Sequence, residues 1–314
     1  MKKKAIIISI KGTNLSNKEK ALLSNEKPWG LILFKRNIKS FNQIMNLVKK
    51  IRKCTKDKKF PILIDEEGAK VSRMESIIHH DFNATLFGKL YLIDQKIAIE
   101  LYKNYLKSLC KKLKKIGVNI NTIPVLDVLR SDTNKIIGKR SFSKRKEIVK
   151  KFGKETINSC HENKIISVIK HIPGHGCATE DSHLRTPKIN LNENTLNKID
   201  FYPFKLSSAK LAMTAHIIYS KIDNINVATF SKKIIKKIIR KKIGFKGILM
   251  SDDISMKALK YDLVTNAKKS LKAGCNLVLY CAGNIKDNSK LIKSVPYIDN
   301  FTSKKTSEIY KILR

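Results

Sequence analysis

Residues 247–256, with the sequence GILMSDDISM, decide the fold, because a short apolar run ends there in two adjacent carboxylates. An apolar run of this length between turn-forming and polar residues predicts a buried strand. Asp252 then follows the strand directly, and its role depends on the fold to which the strand belongs. Asp and Ser also favour helix starts, so we expect Asp253 or Ser255 to cap a helix beside Asp252.

The same pattern recurs along the chain, where short runs rich in Ile, Leu and Val alternate with longer amphipathic stretches. The stretch 40–54 begins with Ser40, which can cap free backbone N–H groups, and carries apolar residues at near-helical spacing. Strands that alternate with helices favour parallel pairing through crossovers. The predicted strands are 5–10, 30–34, 61–64, 118–120, 166–169, 212–214, 247–250 and 277–280.

Eight such units in 314 residues predict an α/β fold, a single (β/α)8 TIM-type barrel, although periodicity alone leaves a doubly wound open sheet as an alternative. We expect one catalytic domain over residues 1–314, because no linker or internal repeat divides the chain. Reactive side chains follow the predicted strands, at the end where barrel enzymes place their chemistry. These side chains are Asp65, Asp127, Lys170, His171, His216 and Asp252.

The chain is strongly basic, with 65 Lys and Arg against 26 Asp and Glu and a net charge of +39. Such an excess raises nucleic acid or an anionic membrane as a partner. The lysines, however, occur along the whole chain without interleaved aromatic residues, which is typical of a solvated surface. We therefore expect no specific nucleic-acid partner.

The cellular compartment is indicated by the first residues and by the cysteines. The opening residues 1–10 imitate a signal peptide, but Lys11 ends the apolar run early and no small-residue cleavage site follows. No run of about 18 apolar residues occurs, so we expect no membrane span. The six cysteines form no CxxC pair and suit reduced thiols. We expect a cytoplasmic monomer.

Reactive side chains are densest in residues 170–183, KHIPGHGCATEDSH. The Pro and Gly residues break regular structure, so we predict a mobile loop that carries Asp181 and His183 over the barrel mouth. A carboxylate two residues from a histidine can bond one ring nitrogen, while the other nitrogen exchanges a proton with a substrate. A lone histidine is usually structural, but three histidines beside an acid favour catalysis.

The same loop suggests a metal site as an alternative, because its His, Cys and Asp side chains are metal ligands. His171 and His175 have a spacing that suits zinc when both project from one helical face, and Pro173 and Gly174 argue against that helix. We therefore expect no metal and no other cofactor, and keep a metal-dependent hydrolase as the competing hypothesis. Its candidate ligands are His171, His175, Cys177, Asp181 and His183.

Two separated motifs, KHIPGHG with DSH in 170–183 and SDDISM at 251–256, resemble the signature pair of family 3 glycoside hydrolases. More narrowly, they resemble bacterial cytosolic β-N-acetylhexosaminidases of the NagZ type. Matching segments at 30–37, 65–68, 124–127 and 215–216 occur in the expected order, so the resemblance covers nearly the whole chain.

The resemblance implies a barrel enzyme that retains configuration, with Asp252 as nucleophile and His183, paired with Asp181, as proton donor and acceptor. The implied substrates are small carbohydrates, GlcNAc–anhydromuramyl peptides released during peptidoglycan recycling. The side chains that the resemblance assigns to sugar binding are Asp65, Arg73, Arg140, Lys170 and His171.

This chain departs from the family's pattern in two places. The usual DQEGGRV is DEEGAKV at 65–71, and the usual Asn before Arg140 is Lys139. These changes bear on substrate affinity more than on reaction type. Two alternatives stay open: phosphate in place of water as acceptor, since histidine does not repel phosphate as a carboxylate does, and a basic binding protein with a decayed site.

Overall fold

A computed structural model describes residues 2–182, 184–205 and 208–313. Within them, eight parallel strands close into one barrel, and two further strands pair outside it. The strands in chain order are β1 (Lys4–Ile8), β2 (Pro28–Leu33), β3 (Ile62–Ile64), β4 (Ile120–Asn121), β5 (Ile166–Ile172), β6 (Lys188–Ile189), β7 (Leu211–Thr214), β8 (Ile218–Tyr219), β9 (Ile248–Asp253) and β10 (Leu277–Leu279).

The barrel strands are neighbours in the order β1-β2-β3-β4-β5-β7-β9-β10, and β6 pairs with β8 alone. β10 returns to β1, where Val278 is in register with Ile6 and Leu279 with Ile7. Each predicted strand overlaps one barrel strand. The (β/α)8 barrel is therefore confirmed, and the open doubly wound sheet is wrong because the first and last strands join.

Helices follow most of the strands and cover the outside of the barrel. The predicted helix 40–54 is confirmed, because α2 runs from Phe41 to Thr55 and the Ser40 side chain accepts a hydrogen bond from the Gln43 backbone N–H. The helices are α1 (Asn17–Glu26), α2 (Phe41–Thr55), α3 (Ala84–Ile93), α4 (Gln95–Ile116), α5 (Lys146–Glu162), α6 (Glu193–Lys198), a π-helix (Ile234–Lys242), α7 (Leu263–Ala273), α8 (Ile285–Ser294) and α9 (Asn300–Ile312).

The core has two layers because alternate residues of a strand point to opposite faces. In β1, Ile7 packs inside the barrel, while Ile6 and Ile8 pack between barrel and helices. Met213 and Met250 add to the interior cluster from β7 and β9. The strands read as unbroken apolar runs because both faces are buried, as in parallel sheets generally.

Two strands extend further than their apolar runs suggest. β5 runs to Ile172 and β9 to Asp253, so Lys170, His171 and Asp252 belong to strands instead of following them. The expected helix cap after β9 is also wrong. The next helix begins only at Leu263, while Asp253 accepts hydrogen bonds from the backbone and hydroxyl of Ser255 and closes a turn.

No helix within the described ranges is both long and apolar enough to cross a bilayer. The six cysteines are free thiols. Two of them, Cys110 on α4 and Cys160 on α5, are buried with their Sγ atoms 3.9 Å apart. They belong to the apolar layer between barrel and helices.

Candidate active site

A polar cavity of about 240 Å³ opens at the carboxyl ends of the barrel strands. Six of the eight predicted site residues line this cavity. They come from segments up to 187 positions apart along the chain, and the parallel strands of the barrel bring these segments together. Its volume is close to the lower end of small-molecule sites, roughly 300 Å³. The six are Asp65, Arg73, Arg140, Lys170, His171 and Asp252.

Lys170 lies buried at the centre of a charged network in this cavity. Its Nζ atom is 3.2 Å from Asp65 Oδ1, 2.6 Å from Glu67 Oε1 and 2.9 Å from the Thr122 hydroxyl. Thr122 in turn donates to Asp65. One ammonium group thus fixes two carboxylates of the β3–α3 connection against the end of β5.

Two arginines complete the network from the sides. Arg73 Nη2 lies 3.1 Å from Asp65 Oδ2. Arg140 forms a two-point pair with Glu67, at 2.7 and 2.9 Å. Burial opposes ionisation, but Lys170 and Arg73 hold the pKa of Asp65 well below its usual range, and Arg140 and Lys170 lower that of Glu67 to about 2. Both carboxylates therefore stay charged near neutrality and can accept hydrogen bonds from hydroxyl groups.

Asp252 lies at the end of β9 and faces the cavity. Burial works against its charged form, but the electrostatic influence of His171 and His216 and the hydrogen bond from the N–H of Asp253 outweigh burial, so the pKa of Asp252 lies below its usual value. The Asp253 N–H donates to Asp252 Oδ1 at 2.8 Å. An ionised carboxylate in a closed pocket has the charge state that a nucleophile needs.

His171 is oriented by Asp127, a buried carboxylate beyond β4. His171 Nδ1 is 2.8 Å from Asp127 Oδ2, while Asp127 Oδ1 accepts backbone N–H bonds from His171 and His175. Because Nδ1 donates to the carboxylate, neutral His171 keeps Nε2 as an acceptor. Asp127 therefore positions both the ring and the backbone at the start of the loop.

His175 lines the cavity, although the sequence suggests it only as a candidate metal ligand. Burial, and secondarily the charge of His171, lower its pKa to about 4 against the pull of Asp127. Its Nε2 lies 3.3 Å from the Ser182 hydroxyl, and within the described residues its Nδ1 is buried without a partner. Neutral His175 thus offers a polar nitrogen at the cavity wall.

The loop after β5 is irregular, as predicted, and its first half is closely packed. A Cβ at Gly176 would lie 1.9 Å from the Val128 carbonyl oxygen. Ser182 is buried and lines the cavity, whereas Asp181 is partly exposed and is not among the cavity residues. The Asp181 carbonyl accepts the N–H groups of Leu184 and Arg185. His183, the predicted proton donor, lies outside the described residues.

The sequence assigns no role to Glu67, which lines the cavity, or to Thr122 and Asp127, which contact the cavity residues Lys170 and His171. Glu67 belongs to the motif at 65–68, and Asp127 follows a predicted strand, so position along the chain is a signal for both. Thr122 had no such signal. Its part depends on Lys170 and Asp65, which only the fold brings to it.

The metal hypothesis depends on the side chains of 171–183 converging. Among the residues that the structure describes, no group of three or more His, Cys, Asp or Glu side chains is arranged to hold a metal ion. Cys177 is not a cavity residue, and burial raises the pKa of its thiol well above the usual value. A protonated thiol is a poor ligand, since metals take the thiolate.

The barrel gathers carboxylates, cations and histidines in one pocket at its strand ends. This arrangement is that of a barrel enzyme for polar substrates. Residues 2–306 match the family described as glycosyl hydrolase family 3 N terminal domain. The chain belongs to this family and is a glycoside hydrolase, which confirms the expected resemblance.

Relatives of known name agree with this assignment. A β-hexosaminidase of Haemophilus influenzae is 32% identical over 308 residues, which cover 93% of this chain and 85% of the relative. One of Actinobacillus succinogenes is 33% identical over 306 residues, 94% and 87% of the two chains. The crystal structure of NagZ from Neisseria gonorrhoeae in complex with N-trifluoroacetyl-D-glucosamine superposes with a TM-score of 0.88, at 28% identity, over 98% of this chain and 90% of that one.

Proposed function

We propose that this chain is a retaining β-N-acetylglucosaminidase that removes terminal β-linked GlcNAc from peptidoglycan-derived muropeptides. The observation that carries the proposal is Asp252, an ionised carboxylate at a strand end that faces a pocket of fixed charges. The names of the β-hexosaminidase relatives and the glucosamine derivative in the Neisseria structure support the sugar. We place the reaction in the cytoplasm, in a monomer with one domain.

In the first step, Asp252 attacks the anomeric carbon of the terminal sugar. A bond forms between Asp252 and this carbon, the bond to the leaving oxygen breaks, and protonated His183 gives its proton to that oxygen. Asp181 stabilises the imidazolium and orients the ring. The products of this step are a glycosyl-enzyme and the released aglycone.

In the second step, neutral His183 takes a proton from water, and the water oxygen attacks the same carbon and releases Asp252. Two inversions leave the sugar in its original β configuration. A histidine with a usual pKa near 6.5 can both give and take a proton near neutrality. Phosphate in place of water would yield a sugar phosphate, so products are analysed with and without phosphate.

The sugar is held by the charged network. Asp65 accepts hydrogen bonds from ring hydroxyls, and Arg73, Arg140 and Lys170 donate to sugar oxygens or to the acetamide carbonyl. His171 accepts a hydrogen bond from a sugar hydroxyl through Nε2. Their partners in the free protein, Glu67 and Thr122 among them, keep these groups oriented before substrate arrives. Such preorganisation lowers the entropy lost on binding.

The test is turnover of a chromogenic β-N-acetylglucosaminide. Asp252→Ala lowers kcat by roughly three orders of magnitude or more, because a nucleophile is lost. The matched control is Glu162→Gln, an exposed acid at the end of α5, at the opposite end of the barrel. An inactive wild type, or a fully active Asp252→Ala protein, would disprove the proposal.

A further inference from the structure

A second hollow, of about 660 Å³, lies beside the active site and carries an excess of positive charge. Three lysines line it, Lys70, Lys135 and Lys139, and Asp81 is the carboxylate on its wall. We call it the lysine hollow. It has no part in the chemistry described above.

The lysine hollow and the sugar cavity share one wall. This wall is built of two segments, 67–73 and 135–140, whose residues divide between the two spaces. Val71 and Ile136 line the sugar cavity, while Lys70 and Lys135, their neighbours along the chain, line the hollow. A molecule that extends from the sugar cavity over this wall therefore reaches the lysines.

Lys70 is held against the segment that carries the other two lysines. Lys70 Nζ donates to the Lys135 carbonyl oxygen, which ties the two segments together. A Cβ built on Gly138 would lie 3.5 Å from Lys70 Nζ, so the ammonium group lies against the backbone that leads to Lys139. The position of Lys70 is thus set by the opposite segment.

The positive charges in the hollow are poorly compensated. Burial, followed by the charges of Arg140 and Lys139, lowers the pKa of Lys70, and Glu67 opposes them from the other side of the wall. Within the described residues, no carboxylate forms an ion pair with any of the three lysines. A bound anion would relieve this repulsion.

We infer that the lysine hollow binds the carboxylates of an acidic leaving group while the terminal sugar occupies the cavity. The inference rests on the proposed function. It adds that the aglycone, the part of the substrate that leaves, is negatively charged. Ammonium groups on flexible stems suit carboxylates spread along a peptide, whereas a single fixed anion favours arginine. Asp81 limits the net charge of the hollow but lies among three cations.

The inference is tested with two substrates that share the same GlcNAc bond. One carries a neutral chromogenic aglycone, and the other a muramyl peptide with at least two carboxylates. In the Lys70→Gln/Lys139→Gln protein, kcat/KM for the acidic substrate falls about three-fold for each lysine and about ten-fold in all. This is the effect expected from the loss of partly exposed ion pairs. The neutral substrate changes by less than about two-fold, and added salt weakens the preference.

Control variants separate charge from structure. Lys70→Arg/Lys139→Arg keeps the preference for the acidic substrate, and so does Lys290→Gln/Lys293→Gln, in the lysine-rich groove between α1 and α8. An equal loss on both substrates, or no loss on the acidic one, would overturn the inference.

A binding measurement keeps the inference independent of turnover. Titration of the free muramyl peptide by calorimetry gives a weaker affinity for the double Gln variant than for the wild type, and equal affinities would overturn the inference. A wild type inactive on the neutral substrate would instead overturn the proposed function. The two failures are therefore distinguishable.

Discussion

Asp252 and Asp253 are neighbours with opposite environments. Burial dominates at Asp253 and raises its pKa, although Ser255 and the Cys281 N–H bond to it. At Asp252 nearby histidines overcome burial and keep the group ionised. One carboxylate is therefore suited to attack and the other to closing the turn after β9, a division that the SDD motif alone does not reveal.

Glu66 stands where the family's pattern has Gln. It is fully buried, and its Oε2 accepts the backbone N–H groups of Arg73 and Met74 at 2.9 and 3.0 Å. His80 Nε2 lies 2.7 Å from Oε1 but is not aligned for a hydrogen bond. Glu66 thus fixes the turn that brings Arg73 to the sugar cavity.

We predict that Glu66→Ala destabilises the protein by roughly 2–3 kcal/mol, because buried N–H groups lose their acceptor. KM rises more than kcat falls, since Arg73 loses its position. Urea unfolding and steady-state kinetics measure both effects. Glu66→Gln keeps an oxygen acceptor, so it loses less stability. Glu75→Ala, at an exposed neighbour, changes neither the stability nor the KM. A wild-type KM in Glu66→Ala would contradict the positioning role.

His175 predicts a pH dependence of stability. Its pKa is lowered from the usual 6.5 to about 4 in the folded protein, so between these values the unfolded chain binds a proton that the folded protein does not. The free energy of unfolding therefore falls as pH drops from about 6.5 towards 4, with a slope that approaches about 1.4 kcal/mol per pH unit for this proton.

The measurement is urea unfolding between pH 7 and 4.5. His175→Gln flattens the profile because the proton difference is lost, whereas the exposed control His79→Gln keeps the wild-type slope. His216, whose pKa burial also lowers, retains part of the slope in His175→Gln. A profile that is the same in wild type and His175→Gln would exclude His175 as its source.

At the scale of elements, the loop after β5 is shaped by contact with the loop after β4. Gly176 packs against the Val128 carbonyl with no room for a side chain, and Thr133 donates to the Gly176 carbonyl. Both His175 and Ser182 reach the cavity from this loop. The packing of one glycine therefore controls where two polar side chains lie.

We predict that Gly176→Ala lowers kcat/KM and destabilises the protein by roughly 1–3 kcal/mol, the usual effect of overpacking. The matched control is Gly12→Ala, where an added Cβ meets nothing within 4 Å. Differential scanning calorimetry and turnover of the chromogenic substrate measure the two effects. Unchanged activity and stability in Gly176→Ala would contradict the prediction, because the loops after β4 and β5 would then move apart without a cost in free energy.

The elements differ in how far their sequences predict them. Apolar runs locate every barrel strand, and the Ser40 cap predicts the start of α2. The runs end too early in β5 and β9, because Lys170, His171 and Asp252 are polar residues inside strands whose ends form the site. The π-helix at Ile234–Lys242 has no separate signal, since its apolar spacing matches that of an ordinary helix.

At the scale of the whole molecule, the barrel gathers scarce acidic residues inside a basic protein. Asp65, Glu67, Asp127 and Asp252 are four of only 26 acids. The first three form ion pairs with Lys170 or His171, and Asp252 feels the charge of the network and the histidines beside it. The cavity can therefore balance its own charges while the surface stays strongly positive. The order of motifs along the chain predicts which residues meet, but their bonding partners depend on barrel closure.

The pairing of β1 with β10 has a consequence for synthesis on the ribosome. The first strand emerges early but finds its second neighbour only when Val278 and Leu279 have been translated. Until then the nascent sheet has two unpaired edges, β1 and β9, which are templates for aggregation. Leu279 and Cys281 also complete the cavity wall. The enzyme thus gains its barrel and its substrate pocket together, once β10 has been made.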